Sequence, residues 1–498
     1  MIHENLQRIA AGALRTSGLR YRGGFVSYAE AAERAARLAA GLQGHGVATG
    51  DSVAVLMVNS PELFIVCHAL FAIGAIGMPL SVSGTQAEYA VAARLANIKA
   101  VIAGQDLAAP AVRLADEIGG DAGSLPVFLS GDEEENSLGR LQRSPLADLP
   151  AIGADADALY LLSSGSTGLP KIVPHTHAEI LADARRTSTA WALTPDDVVF
   201  DMLPSNFAMG LLLGATNALE GGATTVYWND PRPLVLTRQL ALETLAAERV
   251  TMMGAVPTMY ETLSAARGDY RLSLRLAFSG GAALKRSTFE QVRDRLGIVL
   301  RQDYGSTEAI MVAHNDAEDP DLTWESVGRP AGDARAKIAP MDTEFGPDVG
   351  ELMIATSSLT RGYLGEPEAN ARTFVDGWLM TGDLARLDDA GNIQIKGRTK
   401  LLIDVAGFKI DPLEVEETLI QHAAVAEAVV VGDRQTPRGE QRLKAFVVRS
   451  GEVSELNLIR HLRERLSVHK VPAAIEFLDE LPKSTAGKVM RQRLSERG

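Results

Sequence analysis

The nine residues Ser163-Ser164-Gly165-Ser166-Thr167-Gly168-Leu169-Pro170-Lys171 stand directly after an apolar run that ends at Leu162. Residues this small let backbone N–H groups and hydroxyls approach phosphate oxygens, and Lys171 adds a compact positive charge. The Gly-Lys-Ser/Thr of a Walker-type loop is absent, so any phosphate cradle here is of another kind. Ser279-Gly280-Gly281-Ala282 follows a second apolar run and offers either close backbone approach to a ligand or a plain strand-end turn. Towards the C-terminus, Lys483 to Arg493 is rich in Lys and Arg and contains no acid, which suits either a solvated tail or a group aimed at an anion.

Taken with three further segments, this series resembles the adenylate-forming superfamily: acyl- and aryl-CoA synthetases, carrier-protein adenylation domains and luciferases. Gln302-Asp303-Tyr304-Gly305-Ser306-Thr307-Glu308 matches the family's Tyr-Gly-x-Thr-Glu, and Trp378-Leu379-Met380-Thr381-Gly382-Asp383 matches its Thr-Gly-Asp. Gly397-Arg398-Thr399-Lys400 begins the hinge, and Leu481-Pro482-Lys483-Ser484-Thr485-Ala486-Gly487-Lys488 matches the C-terminal lysine motif. The motifs fall in order, so the resemblance spans nearly the whole chain. It implies a large N-terminal α/β domain of layered sheets and helices, residues 1–399, and a small mobile α+β lid, residues 400–498.

The resemblance implies ATP, Mg2+ and coenzyme A as co-substrates and cofactors. Activating a carboxylate with ATP brings an anionic oxygen onto an α-phosphate that is already negative, so charge neutralisation is the main task. Ser163, Ser164, Gly165, Ser166, Thr167, Gly168 and Lys171 are then expected around the phosphates, with Thr307 on the α-phosphate and Glu308 as the magnesium ligand, an oxygen donor for a hard cation. Tyr304 offers a flat face for adenine, beside Gly281, Ala282 and Asp303. Asp383 fits a pair of ribose hydroxyls, and Arg398 can donate to the same sugar. Lys488 is expected between carboxylate and α-phosphate, where it offsets charge that develops only in the transition state. Lys400 is the implied hinge and Gly407 faces the implied thiol tunnel.

Which acid is activated depends on the segment after Leu203. Acyl-CoA synthetases read Pro-x-x-His-x-x-Gly there; this chain reads Pro204-Ser205-Asn206-Phe207-Ala208-Met209-Gly210-Leu211. Without gaps this resembles the benzoate-type CoA ligases, and with one gap Asn206-Phe207 resembles the His-Asn-Tyr of dihydroxybenzoate enzymes. Both comparisons imply an aromatic acid in a slot walled by Phe207, Met209, Gly280 and Met311, with Asn206 available to an ortho substituent. Packing in the core explains Phe207 and Met209 equally well at this stage. Lys171 to His177, Lys-Ile-Val-Pro-His-Thr-His, also resembles aryl-acid activators that load carrier proteins, and Ile172 stands where most members have Gly. Leu401 and Asp404 depart from the usual hinge. The expected activity is therefore an AMP-forming aryl-CoA ligase, with transfer to a separate carrier protein or a non-thiol nucleophile as the alternative. A catalytically silent scaffold on the same fold is disfavoured by intact Glu308, Asp383, Arg398 and Lys488.

The elements that must position these residues are legible in outline. Ser27-Tyr28-Ala29-Glu30 has capping-box spacing and leads into an Ala-rich helix ending near Gly41. Ser52 to Val58 reads as a buried strand, and Ser60-Pro61-Glu62 starts a helix. Ala158 to Leu162, Val198 to Leu203, Val250 to Ala255 and Leu274 to Phe278 read as further buried strands, which together predict a largely parallel sheet with helices on both faces. Beyond about Lys400 the pattern changes: strands at Ala428 to Val431, Leu443 to Val448 and Ala474 to Phe477 flank a helix near Glu455 to Leu466. Residues 401–498 carry 15 basic and 15 acidic side chains, so the whole net charge of −14 lies in the first 400.

That charge repels nucleic-acid phosphates. A hydrophobic fraction of 46% over 498 residues excludes a disordered chain. Cys67 is the one cysteine, expected as a packed apolar residue, and no Cys/His cluster has zinc spacing. The N-terminus has no secretory signal, and Leu63 to Leu80 reads as buried helix plus strand rather than a membrane span, so a cytoplasmic location is expected.

Overall fold

Side chains that compete for free backbone N–H groups set where the helices begin. Ser27 accepts from Glu30 N at 3.2 Å and opens Tyr28–Gly44, which runs on past Gly41. Glu30 pairs with Arg34, so only the Ser27 half of the expected box forms there. Full capping boxes occur instead at Thr85 with Glu88 and at Thr176 with Glu179. Ser60 caps Pro61–Ile73, and Gly74 ends that helix at φ 69°, in the left-handed region. This helix is apolar all round and buried, and the strand Ile76–Pro79 follows it. Cys67 sits within it, where burial pushes the thiol up to about 12.

The structure is a computed structural model that describes residues 1–12, 17–131, 134–163, 171–321, 324–341, 346–398, 403–405, 408–410, 412–433, 442–466, 470–483 and 489–495. Ser164, Gly165, Ser166, Thr167, Gly168, Lys400, Gly407 and Lys488 lie outside the described residues. Two compact units emerge, one of Met1–Ala336, Ile354–Met380 and Asp389–Ile393, the other of Lys337–Met353, Thr381–Asp388 and Gln394–Gly498.

The first unit contains two large sheets. One runs in the order Val127–Leu129, Ile98–Ala103, Ser52–Leu56, Ile76–Pro79, Asp157–Ser163, Lys171–Thr176; all pairs are parallel except the last, an antiparallel hairpin. The other runs Arg329–Pro330, Ile310–His314, Arg301–Ser306, Leu276–Ser279, Met252–Ala255, Val198–Asp201, Thr224–Tyr227, Gly18–Tyr21, Gly24–Ser27, with a parallel centre and antiparallel edges. Each apolar run expected as a strand in this unit forms one within a few residues of its expected bounds.

The second unit holds the antiparallel pair Val425–Asp433 and Arg442–Arg449, with Ala474–Leu478 parallel to the latter. Helices Pro412–Ile420 and Glu455–Arg463 bury Val415, Leu419, Leu458 and Leu462 in its core. Glu416 receives Val430 N at 2.6 Å and both Nη atoms of Arg491, which ties the helix Arg491–Ser495 to this sheet. Lys483 and Val489 bridge across residues 484–488, and Met490 N donates to Pro482 O at 2.8 Å. Among the described residues no helix is long and apolar enough to cross a membrane.

Two histidines are packed in the first unit's core as neutral rings. His68 Nε2 lies 3.0 Å from Ala215 O, and its ring sits 4.3 Å from that of Phe64 and 5.6 Å from that of Phe71. His177 meets Phe71 at 5.8 Å, and among the described residues neither of its nitrogens has a partner. Burial lowers both rings to about 4. A base whose folded pKa is depressed contributes stability that is complete above its unfolded pKa of about 6.5 and is lost as pH falls towards the folded value. Each ring therefore costs roughly 2 kcal/mol by pH 5. We expect urea-unfolding free energy to be flat from pH 7 to 8 and to drop steeply between pH 6.5 and 5, with a shallower drop in His177→Phe; equal stability at pH 7 and 5 would contradict this account.

Candidate functional site

Four neighbouring parallel strands, Arg301–Ser306, Leu276–Ser279, Met252–Ala255 and Val198–Asp201, end on the side where the chain then supplies most candidate residues. In open α/β sheets this carboxyl edge is where ligands bind, because loops there are free to shape a crevice. After Leu276–Ser279 comes Gly280, whose N donates to Ala255 O at 3.2 Å, and then Gly281 at φ +75°. A Cβ on Gly280 would stand 3.3 Å from Asp303 O and 3.5 Å from Met209 Sδ, so Gly280, Asp303 and Met209 meet at one point. Ala282 is exposed beside them.

The Asn206 segment is fastened at both ends. Asn59 Nδ2 donates to Asp201 Oδ1 at 3.0 Å, Leu203 O at 2.7 Å and Gly210 O at 3.3 Å, while Ser205 Oγ donates to Met57 O at 2.8 Å. Burial raises the Asp201 carboxyl well above the usual carboxylate range despite the Asn59 bond. Between these anchors Asn206 is half-buried and Phe207 keeps 36% of its surface exposed. Core packing therefore explains little of Phe207; Met209 is half-buried and Met311 buried.

Thr307 and Glu308 ride on an irregular turn. The pairing of Arg301–Ser306 with Ile310–His314 shifts register at Tyr304/Gly305, and a Cβ on Gly305 would come 2.1 Å from Ile310 O. Only glycine fits this bulge. Ile310 carries φ 59°, a strained value for a β-branched residue, so the surrounding contacts must hold the turn. His175 Nε2 donates to Thr307 O at 2.7 Å, and Thr360 N donates to Glu308 O at 2.9 Å. The Pro-His-Thr-His segment thus braces the Thr307 turn and caps the helix His177–Ala190. His175 and His177 are both fully buried.

A buried cation holds the other side of this turn. Arg186 Nε donates to Met311 O at 3.0 Å, Nη1 to Asp333 Oδ1 at 2.9 Å and Thr356 Oγ1 at 2.5 Å, and Nη2 to Asp183 Oδ1 at 3.0 Å and Ser358 Oγ at 2.5 Å. Asp183 also accepts from Met311 N at 3.1 Å. Both backbone groups of Met311 are thereby committed to one ion pair.

Ser163 pairs directly opposite Lys171, so the hairpin brings the two ends of the small-residue loop side by side. Lys171 Nζ lies 4.7 Å from the ring centroid of Tyr363, and Tyr363 Oη donates to Glu308 Oε1 at 2.8 Å. Burial and the Glu308 charge push the Tyr363 phenol up, so it stays a donor. Tyr304 is half-buried at the bulge. At Asp303, Trp191 Nε1 at 2.9 Å and His314 Nδ1 at 2.5 Å take the two carboxylate oxygens, and its main-chain O faces Gly280. In the second unit, Arg398 Nε lies 2.5 Å from Asp383 Oδ1, and the Thr381 hydroxyl donates to Leu352 O at 2.7 Å. Asp183, Arg186, Trp191 and Tyr363 went unnoticed in the sequence because nothing in their local spacing marks them.

Among the described residues no three His, Cys, Asp or Glu side chains gather as a metal site. A lone carboxylate oxygen donor such as Glu308 fits magnesium, which takes one or two carboxylates and completes its shell with phosphates and water.

An AMP-binding enzyme family model matches residues 7–364, and an AMP-binding enzyme C-terminal domain model matches residues 414–488. The chain belongs to the AMP-binding enzyme family. Feruloyl-CoA synthase from Amycolatopsis sp is 30% identical over 502 residues, 97% of this chain and 96% of that protein. Pyochelin synthase PchD from Pseudomonas aeruginosa (strain UCBPP-PA14) is 30% identical over 486 residues, 95% of this chain and 88% of that protein. Among solved structures, o-succinylbenzoate CoA synthetase (MenE) from Bacillus subtilis with its acyl-adenylate intermediate is 26% identical and superposes with a TM-score of 0.87 over 98% of this chain and 97% of that one. That enzyme has also been solved with ATP and magnesium ion. This AMP-binding enzyme is an adenylate-forming ligase, with the large N-terminal and small C-terminal α/β architecture of its relatives.

Because Arg186 serves the turn from a buried position, removing its charge strands the Asp183 carboxyl. Arg186→Met should cost about 3 to 5 kcal/mol of stability, measured as a shift in urea midpoint. A shift equivalent to under about 1 kcal/mol would show that the pair does not hold this region.

Proposed function

We propose that this enzyme condenses an aromatic carboxylic acid with ATP to give the aryl-adenylate and pyrophosphate, and then transfers the acyl group to the thiol of coenzyme A. The observation that carries the aromatic assignment is the Asn206-Phe207 segment, fastened at both ends and reaching Gly280 through Met209 Sδ. A slot of Phe207, Met209, Gly280 and Met311 suits a flat ring, because aromatic walls gain contact area at low entropic cost. Asn206 supplies a polar partner for a substituent beside the carboxylate. The feruloyl-CoA synthase and o-succinylbenzoate CoA synthetase relatives support both the aromatic acid and the CoA acceptor. The pyochelin synthase relative, with the Lys-Ile-Val-Pro-His-Thr-His segment, supports transfer to a separate carrier protein as the second reading.

In the first step a carboxylate oxygen forms a bond to the α-phosphorus while the bond to the pyrophosphate oxygen breaks, and pyrophosphate departs with that electron pair. The loop from Ser163 to Lys171, which includes Ser164, Gly165, Ser166, Thr167 and Gly168, cradles the phosphates; Thr307 donates to the α-phosphate. Tyr304 stacks on adenine beside Gly281, Ala282 and the Asp303 main chain. Asp383 and Arg398 take the ribose. Glu308 holds magnesium, which when bound draws charge from the phosphates. Lys488 bridges carboxylate and α-phosphate. In the second step the thiolate attacks the acyl carbon and AMP leaves; residues 400–498 turn about Lys400 between the steps and bring Gly407 to the thiol path.

Lys488→Ala should lower acid-dependent ATP–pyrophosphate exchange by about 10² to 10³ while thioester formation from supplied aryl-AMP persists. Equal losses in both half-reactions would overturn the assignment. An ortho-hydroxy or ortho-amino benzoate should exceed benzoate by roughly 5- to 150-fold in kcat/KM, since an amide that the bound ring shuts off from water without a partner costs about 1 to 3 kcal/mol. Asn206→Ala should erase most of that margin. Pyrophosphate release across a panel of benzoates and fatty acids, with and without CoA, tests substrate and acceptor together; a better rate with octanoate or acetate than with every benzoate refutes the aromatic slot.

A further inference from the structure

Tyr363 appears in none of the motifs, yet it touches two of the charged groups that the proposed reaction needs. Its hydroxyl donates to Glu308 Oε1 at 2.8 Å, and the Lys171 ammonium rests 4.7 Å from its ring centroid. Those two groups reach it from different parts of the chain, the turn after Arg301–Ser306 and the strand Lys171–Thr176.

The tyrosine itself is clamped. Its N donates to Asn370 Oδ1 at 2.7 Å, and Asn370 Nδ2 donates back to Tyr363 O at 2.9 Å. Leu364 N donates to Ile172 O at 3.0 Å, Thr360 Oγ1 to Pro174 O at 2.6 Å, and Arg361 holds Asp157 through two bonds at 2.5 and 2.7 Å. The ring edge packs against Phe374 at 5.5 Å. A side chain so fixed is a post on which other groups are set, because little of its own freedom remains to be lost.

We propose that Tyr363 is a positioning residue for the divalent cation and the nucleotide phosphates. This rests on the reading of Glu308 and Lys171 given above. The hydroxyl bond fixes the Glu308 carboxylate through one oxygen and turns Oε2 to the cation; among the described residues Oε2 has no protein partner. A hydrogen bond to one oxygen of a ligating carboxylate orients it and is the usual way a protein tunes a metal ligand. The ring face meanwhile seats the Lys171 ammonium by attraction to the π cloud, a hold that a phosphate can displace. Holding cation and anion on one aromatic residue also keeps them from closing on each other as an ion pair, which would neutralise both before the ligand arrives. Among the described residues no Lys171–Glu308 bridge forms.

The two functions separate by substitution. Tyr363→Phe keeps the face and removes the hydroxyl; Tyr363→Leu removes both. Two readouts apply: the magnesium dependence of ATP–pyrophosphate exchange, and calorimetric binding of α,β-methylene-ATP with magnesium and with EDTA. Tyr363→Phe should raise the half-saturating magnesium concentration about 10- to 100-fold and weaken analogue binding only when magnesium is present, with most of the loss in the metal requirement rather than in kcat. Tyr363→Leu should in addition weaken binding in EDTA. Unchanged magnesium dependence in Tyr363→Phe, or equal weakening with and without the metal, overturns the proposal. Glu308→Gln serves as the reference. If it loses the magnesium dependence while Tyr363→Phe does not, the Tyr363 proposal alone fails; if it behaves as the wild type, the metal role of Glu308 fails and takes the proposal with it.

Discussion

Arg186 gives up nearly all of its contact with water, and the arrangement of the candidate site follows from how that cost is met. A buried guanidinium is tolerated only when its donors are paired, and its Nε and both Nη groups reach acceptors on four separate stretches of chain: Asp183, Met311, Asp333 and the Thr356–Ser358 segment. Satisfying one side chain therefore fixes the relation of a helix, a sheet edge and two connecting segments. The Ile310–His314 strand is held by both backbone groups of Met311, and the Ser358 hydroxyl passes the constraint to Ala309 O at 2.7 Å.

What this anchor supports is a turn that would not keep its shape alone. Ile310 occupies a backbone region unfavourable for a β-branched residue, and the bulge at Gly305 leaves no room for a Cβ. Such strain persists where surrounding contacts over-determine it. Here Arg186 and Asp183 pull on Met311, His175 holds Thr307 O, and Thr360 N holds Glu308 O. The outcome is a threonine and a glutamate presented at a sheet edge in one orientation, with Tyr363 set against the carboxylate. Preorganisation of this kind suits a reaction whose barrier is mainly the meeting of negative charges.

Glycine geometry makes the same point at Gly280. Backbone of Asp303 and the sulfur of Met209 approach to where a side chain would begin, so the nucleotide and acid candidates converge on a residue with none. The bonds from Asn59 to Asp201 Oδ1, Leu203 O and Gly210 O secure the Met209 segment. An ion pair thus organises one flank of the site and amide hydrogen bonds the other.

Local chemistry determined a good deal from the sequence alone. Caps at Ser27 and Ser60, the buried runs at Ser52–Leu56, Asp157–Ser163 and Leu276–Ser279, and the C-terminal strand and helix order all follow from rules that act within a few residues. The motif loops were legible for the same reason, since phosphate-sized turns demand small residues in a fixed order. The sheet that carries Thr381-Gly382-Asp383, built from strands such as Gly350–Ala355 and Trp378–Leu387, was not, because its half-buried strands lack a continuous apolar run. Only the tertiary structure decided where side chains point. The register shift at Tyr304/Gly305 breaks the two-residue alternation, so the sequence could not tell that the Asp303 carboxylate turns to Trp191 and His314. Tyr363 meets Glu308 across 55 residues and Arg186 meets Ser358 across 172. Contacts at such separation depend on strand order and loop closure, which no local pattern encodes.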